Sequence, residues 1–159
     1  MKIILFLSLL IWVIPGFGKV KIQKPKSQHV TAFAIIVDEM TLEKTGGAVE
    51  AYRDALEADG LSTYIVSGNW KNPDEVKAEI IKLNKRKPVL EGVVFIGDIP
   101  VALIRNAQHM TTAFKMNEDE FPFPESSVPS DRFYDDLHLT FDFICQDSVN
   151  TSHFYYKLR

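Results

Sequence analysis

Three short apolar runs separated by two amphipathic stretches set the pattern of the chain. Thr31 to Asp38 and Val93 to Ile96 are apolar at nearly every position, and Ser62 to Ser67 is a third run rich in β-branched residues. Runs of this length, broken by Gly, Pro or an acid, predict strands of a parallel sheet covered on both faces. Between the first two strands, Val49, Tyr52 and Leu56 recur at helical spacing after Gly46-Gly47, and Asp59-Gly60 supplies the stop. Asn72-Pro73-Asp74-Glu75 then gives a cap residue, a first-turn proline and a carboxylate placed to close a capping box. Val76, Ile80 and Leu83 form the apolar face of that second helix, which Pro88 ends. The predicted order is strand-helix-strand-helix-strand with short connections, an α/β fold whose parallel sheet carries flanking helices. Val93 to Ile96, leading into Gly97-Asp98-Ile99-Pro100, is expected to be central and fully buried.

The pattern changes on either side of this unit. Lys19 to Val30 reads as an extended lead-in. From Ala107 to Ser130 the periodicity dissolves into a long, acidic, proline-containing loop, and loops of that length are usually functional or mobile. Leu137 to Ile144 partly alternates and is a candidate fourth strand, and no closing helix follows.

Met1 to Gly18 has Lys2, an apolar run from Ile3 to Ile14, and small residues at Gly16 and Gly18. That run is shorter than the ~20 residues of a membrane span, so residues 1–18 are expected to be a cleaved export signal. The mature chain would begin near Lys19 without a transmembrane anchor, and the protein would be secreted, periplasmic or on the cell surface. Losing Lys2 takes the formal charge from −3 to −4, which argues against nucleic acid as a partner. The basic residues from Lys82 to Lys87 suit the end of the second helix. With one cysteine, Cys145, the chain has no internal disulfide.

Asp38 and Asp98 each stand at the carboxyl end of a predicted strand. If their strands are neighbours, both carboxylates line one crevice; the alternative is that each caps a following turn or helix. His29, His109, His138 and His153 show no metal-ligand spacing. Cys145 lacks a glycine-rich elbow and reads as an incidental thiol rather than a nucleophile. Asp131, Asp135 and Asp136 crowd one loop and are weak calcium candidates, although that loop lacks the spacing of an EF-hand; no other cofactor is indicated.

The βαβαβ beginning, the strand ending Ile96-Gly97-Asp98-Ile99-Pro100, and the later Pro129-Ser130-Asp131-x-x-Tyr134-x-Asp136-Leu137 together resemble gingipain-type cysteine peptidases of the caspase-like group (peptidase family C25). The likeness covers roughly residues 31–137. It implies a caspase-like domain over residues 31–159, acting on protein or peptide substrates, with Asp38, Asp98, Asp131 and Tyr134 as cleft residues. The family's catalytic His and Cys follow later strands, as His-Gly and then a cysteine in a small-residue loop. Neither pattern occurs here, so no catalytic residue is assigned, and the resemblance implies the N-terminal part of an incomplete domain. The alternative is a small, secreted, non-catalytic binding domain on a flavodoxin-like sheet, using the Asp98 crevice and the 107–130 loop.

Overall fold

The computed structural model of the chain describes residues 20–105, 117 and 119–159. The expected export signal and His109 lie outside the described residues, as does much of the 107–130 loop. The first half folds as β1 (Lys21–Gln23), β2 (Thr31–Asp38), α1 (Glu39–Ala58), β3 (Leu61–Gly68), α2 (Pro73–Asn84) and β4 (Val89–Ile96). These strands form one sheet in the order β1-β3-β2-β4. β2 pairs in parallel with β3 on one side and β4 on the other, and β1 runs antiparallel along β3. Ile35, Val37 and Ile65 pack with Val49 of α1 on one face. Ala32, Ala34, Ile36, Tyr64 and Val66 join Val76, Ile80 and Leu83 of α2 on the other. The two helices thus cover opposite faces, as right-handed crossovers leaving to opposite sides require.

Three expectations are corrected in this half. β4 is an edge strand of this sheet, and Val93 to Ile96 are half-buried, not enclosed. The fully buried centre is β2, where Ala34, Ile35, Ile36 and Val37 are all 0% exposed. The first helix starts at Glu39, eight residues before the expected entry at Gly47, because the Asp38 carboxylate accepts from the Thr41 N–H and caps it. Thr45 (φ −125°, ψ 15°) kinks that helix just before the glycine pair, and its hydroxyl donates to the Thr41 carbonyl. The lead-in is anchored through β1 and through Glu57, a buried carboxylate of α1 that accepts from the Lys26 and Ser27 N–H groups.

A second sheet occupies the remaining residues. Its elements are β5 (Val101–Arg105), α3 (Phe123–Ser126), β6 (Val128–Pro129), α4 (Arg132–Asp135), β7 (Phe141–Gln146) and β8 (His153–Leu158). The strand order is β6-β5-β8-β7, with β5 and β8 parallel and the outer pairs antiparallel. The candidate fourth strand is therefore β7, shifted toward the carboxyl end and paired in this second sheet. The stretch around α3 and β6, expected to be loop, carries short regular elements.

Both sheets share the core on the α2 side, where Phe133, Tyr134, Ile104, Phe154 and Tyr156 join the α2 residues. The Tyr156 hydroxyl donates to Asp74 Oδ2 at 2.6 Å, and the Lys77 ammonium lies 4.8 and 4.7 Å from the Phe133 and Phe141 ring centroids. Such cation–π contacts strengthen as they are desolvated, and burial holds the Lys77 amine below its ordinary range even though Asp74 opposes the shift. No helix among the described residues is long and apolar enough to cross a membrane.

Candidate functional site

In an open α/β sheet, ligands collect where neighbouring strands send their connections in opposite directions. That point here lies between the carboxyl ends of β2 and β4, since β2 leads to β3 on one side and β4 leads away on the other. Asp38 and Asp98 sit there and line one crevice of about 320 Å³ with Glu39, Glu43, Asn69 and Trp70. The two carboxylates do different work. One oxygen of Asp38 caps α1 through Thr41, and the other accepts from the Asp98 backbone N–H at 2.8 Å, which ties the turn after β4 to the start of α1. Asp38 is thus a structural cap as well as a crevice wall. Asp98 is exposed and accepts a 3.3 Å hydrogen bond from the Ser152 hydroxyl.

Gly97 makes this geometry possible. Its φ is +87°, and a Cβ there would overlap the Asp38 carboxylate and stand 2.8 Å from Thr41 Cβ. Trp70 closes the opposite wall, its indole N–H donating to the Val37 carbonyl at 3.1 Å.

Partial burial opposes ionisation of Asp38, but the hydrogen bonds from Thr41 and Asp98 outweigh it and hold the carboxyl below its ordinary range. A depressed folded-state value means that its contribution is present above the unfolded value near pH 4 and is lost as pH falls through the folded value. Asp38→Asn removes one of two acceptors, leaving either Thr41 or Asp98 without its partner. The expected loss is about 1–3 kcal/mol at neutral pH, shrinking on acidification below about pH 4. Urea melts of both proteins at pH 7 and pH 3 check this, and a pH-independent difference would contradict it.

Asp131 and Tyr134 lie on the other flank of the Gly97 turn, in a hollow of about 420 Å³ shared with Phe95, Ile99 and Pro129. Tyr134 is buried, its hydroxyl donates to the Pro100 carbonyl at 2.5 Å, and its ring lies 4.8 Å from that of Phe95. Burial pushes its phenol well above the ordinary tyrosine range, so it braces the turn as a neutral donor. The cleft candidates therefore fall into two pairs on either side of one turn.

The calcium candidates Asp131, Asp135 and Asp136 flank or lie within the short helix α4. Asp131 precedes α4, and Asp136 follows it, accepting from the His138 N–H. Among the described residues no group of three or more His, Cys, Asp or Glu side chains is arranged to hold a metal. Cys145 is a free, half-buried thiol on β7, and no histidine hydrogen-bonds to it among the described residues. The His153 ring pairs instead with the Asn150 amide at 3.0 Å.

Glu43, Asn69 and Trp70 are crevice residues that the sequence pattern did not single out. Only the Gly68-Asn69 break directly after a strand end offered a signal. No protein-family model matches the chain, and no curated protein or solved structure does either.

Proposed function

We propose that this chain is the sheet platform of an exported, gingipain-type, caspase-like cysteine-peptidase domain, without a catalytic His–Cys dyad of its own. The observation carrying this reading is the parallel order β3-β2-β4 with Asp38 and Asp98 at the adjoining carboxyl ends of β2 and β4. In that arrangement the sheet presents a crevice to a peptide, while Asp38 fixes the crevice wall and leaves Asp98 exposed to it. Acyl transfer by a thiol needs a base within hydrogen-bond reach and donors for the oxyanion. Cys145 has no such base among the described residues, and none of the chain's histidines is followed by glycine.

The purified chain, assayed with reductant and calcium on a mixed peptide library, is expected to give no cysteine-dependent turnover. Hydrolysis that disappears in Cys145→Ala would overturn the absence of a dyad. The peptidase assignment also requires an apolar strand followed by His-Gly in the polypeptide carrying this domain. Sequencing the coding DNA beyond the Arg159 codon tests that, and the absence of an in-frame continuation carrying them would sink it.

The crevice favours one other reading, a secreted non-catalytic binding domain on a flavodoxin-like sheet. Its walls carry Asp38, Glu39, Glu43 and Asp98, a lining suited to a cationic group. Trp70 reports on it directly. A saturable change in indole emission on titrating a lysine-containing peptide, with no His-Gly continuation, would favour binding alone.

A further inference from the structure

At the opposite end of the first sheet, a hollow of about 820 Å³ lies where Val30 leads into β2, Ser62 stands near the start of β3 and Pro88 precedes β4. Lys24, Arg86 and Lys87 line it, and all three are exposed. None of them has an ion-pair partner among the described residues. Their convergence without counter-charge stands out in a chain of formal charge −3.

The end of α2 accounts for only part of this cluster, since Lys24 comes from elsewhere in the chain. Lys82 occupies its last turn and Lys85 is the C-cap, whereas Arg86 and Lys87 lie beyond it, and the helix dipole acts within the last turn. Lys24 comes from a separate segment, the turn after β1. The carboxylates on the far side of His29 are already engaged: Asp54 pairs with Lys26, and Glu57 accepts from the Lys26 and Ser27 N–H groups. His29 itself lines the hollow, with its backbone N–H fixed on the Ser62 hydroxyl at 2.7 Å and its ring Nε2 buried without a partner. Pro25, Val30, Tyr64 and Pro88 supply the apolar surface of the lining, beside the polar Gln28 and Ser62. A mostly apolar wall with a few converging polar groups, at a volume within the range of small-molecule sites, is the usual composition of such a site.

We propose that this hollow binds an organic carboxylate: an apolar body seated against Tyr64 and Pro88, with its carboxylate at Lys24, Arg86 and Lys87. It lies at the amino ends of the strands and is separate from the Asp38–Asp98 crevice, so it stands or falls independently of the peptidase reading. The test is a fluorescence titration with dansyl-glutamate, using uncharged dansylamide as the matched probe. Wild type is expected to bind dansyl-glutamate saturably, and dansylamide at least tenfold more weakly. The variant Lys24→Gln/Arg86→Gln/Lys87→Gln should bind dansyl-glutamate at least tenfold more weakly. Because these side chains are exposed, its urea midpoint should match wild type. The variant Lys44→Gln/Lys157→Gln, which removes charge elsewhere, should bind within twofold of wild type. Three results would each overturn the proposal: no saturable binding to wild type, equal affinity for dansylamide, or a loss in the control variant as large as in the triple variant.

Discussion

Gly97→Ala is expected to destabilise the protein by about 3–5 kcal/mol, with a lower urea midpoint and an unchanged denaturant slope. Two costs combine. A side chain at φ +87° loses about 1–2 kcal/mol to left-handed strain. The added methyl group also displaces the Asp38 carboxylate from the Asp98 N–H and the Thr41 cap, and hydrogen bonds to a charged group contribute about 1.5–3 kcal/mol. Gly47→Ala is the internal comparison. A Cβ there meets nothing within 4 Å, and the residue lies inside α1, so it should stabilise by up to about 1 kcal/mol. Equal midpoints for the two variants would mean that the Asp38 bridge does not hold the turn after β4.

Phe133→Ala should cost about 3–5 kcal/mol, the range for emptying a buried aromatic site. Phe133 is 1% exposed, and its ring meets Tyr134, Phe141 and Tyr156 at centroid distances of 5.1, 5.0 and 4.5 Å. It is also one of the two rings beneath Lys77 of α2. Because this cluster joins the second sheet to α2, the loss should appear as one cooperative transition moved to lower denaturant, with tryptophan emission and far-UV circular dichroism coincident. Trp70 lies in the first half of the chain and packs in the same core. If Trp70 emission kept its wild-type midpoint while the dichroism shifted, the two sheets would be energetically separate.

The unit from β2 to β4 was legible because each element carries a local signal. Asn72 and Pro73 start α2, Gly60 (φ +94°) ends the α1 turn, and the α2 period is intact; in α1 Val49 and Leu56 face the sheet as expected, but Tyr52 is exposed while Arg53 and Glu57, expected on other faces, are buried. The lateral position of β4 was not legible. Val94 and Ile96 face the α1 side while Val93 and Phe95 face the α2 side, so the strand is apolar throughout. Which backbone edge finds a partner leaves no mark on side chains, and an edge strand covered on both faces therefore reads as central. β8 was missed for a different reason. His153-Phe154-Tyr155-Tyr156-Lys157-Leu158 follows neither a clean alternation nor a continuous aliphatic run, and its partner β5 is remote in sequence. Of the site residues, Asp38 and Asp98 were found together because acids directly after strands mark carboxyl ends. Tyr134 was named for the cleft, yet its hydroxyl is committed to the Pro100 carbonyl, a long-range contact with no local signature.

The parallel pairing of β5 with β8 sets an order on the folding of the nascent chain. Every strand and helix of the first sheet has left the ribosome once residue 96 has emerged, and that sheet closes through short crossovers. β5 follows at once but must wait through residues 106–152 for the strand that fills the middle of its sheet. Pairings across so long a stretch of chain form slowly, since the closure entropy is lost before any contact is gained. Until β8 emerges the α2 face carrying Val76, Ile80 and Lys77 lacks Tyr156, and β5 keeps one edge without its strand. The period just before β8 emerges is thus when the chain is most prone to mispair with its neighbours.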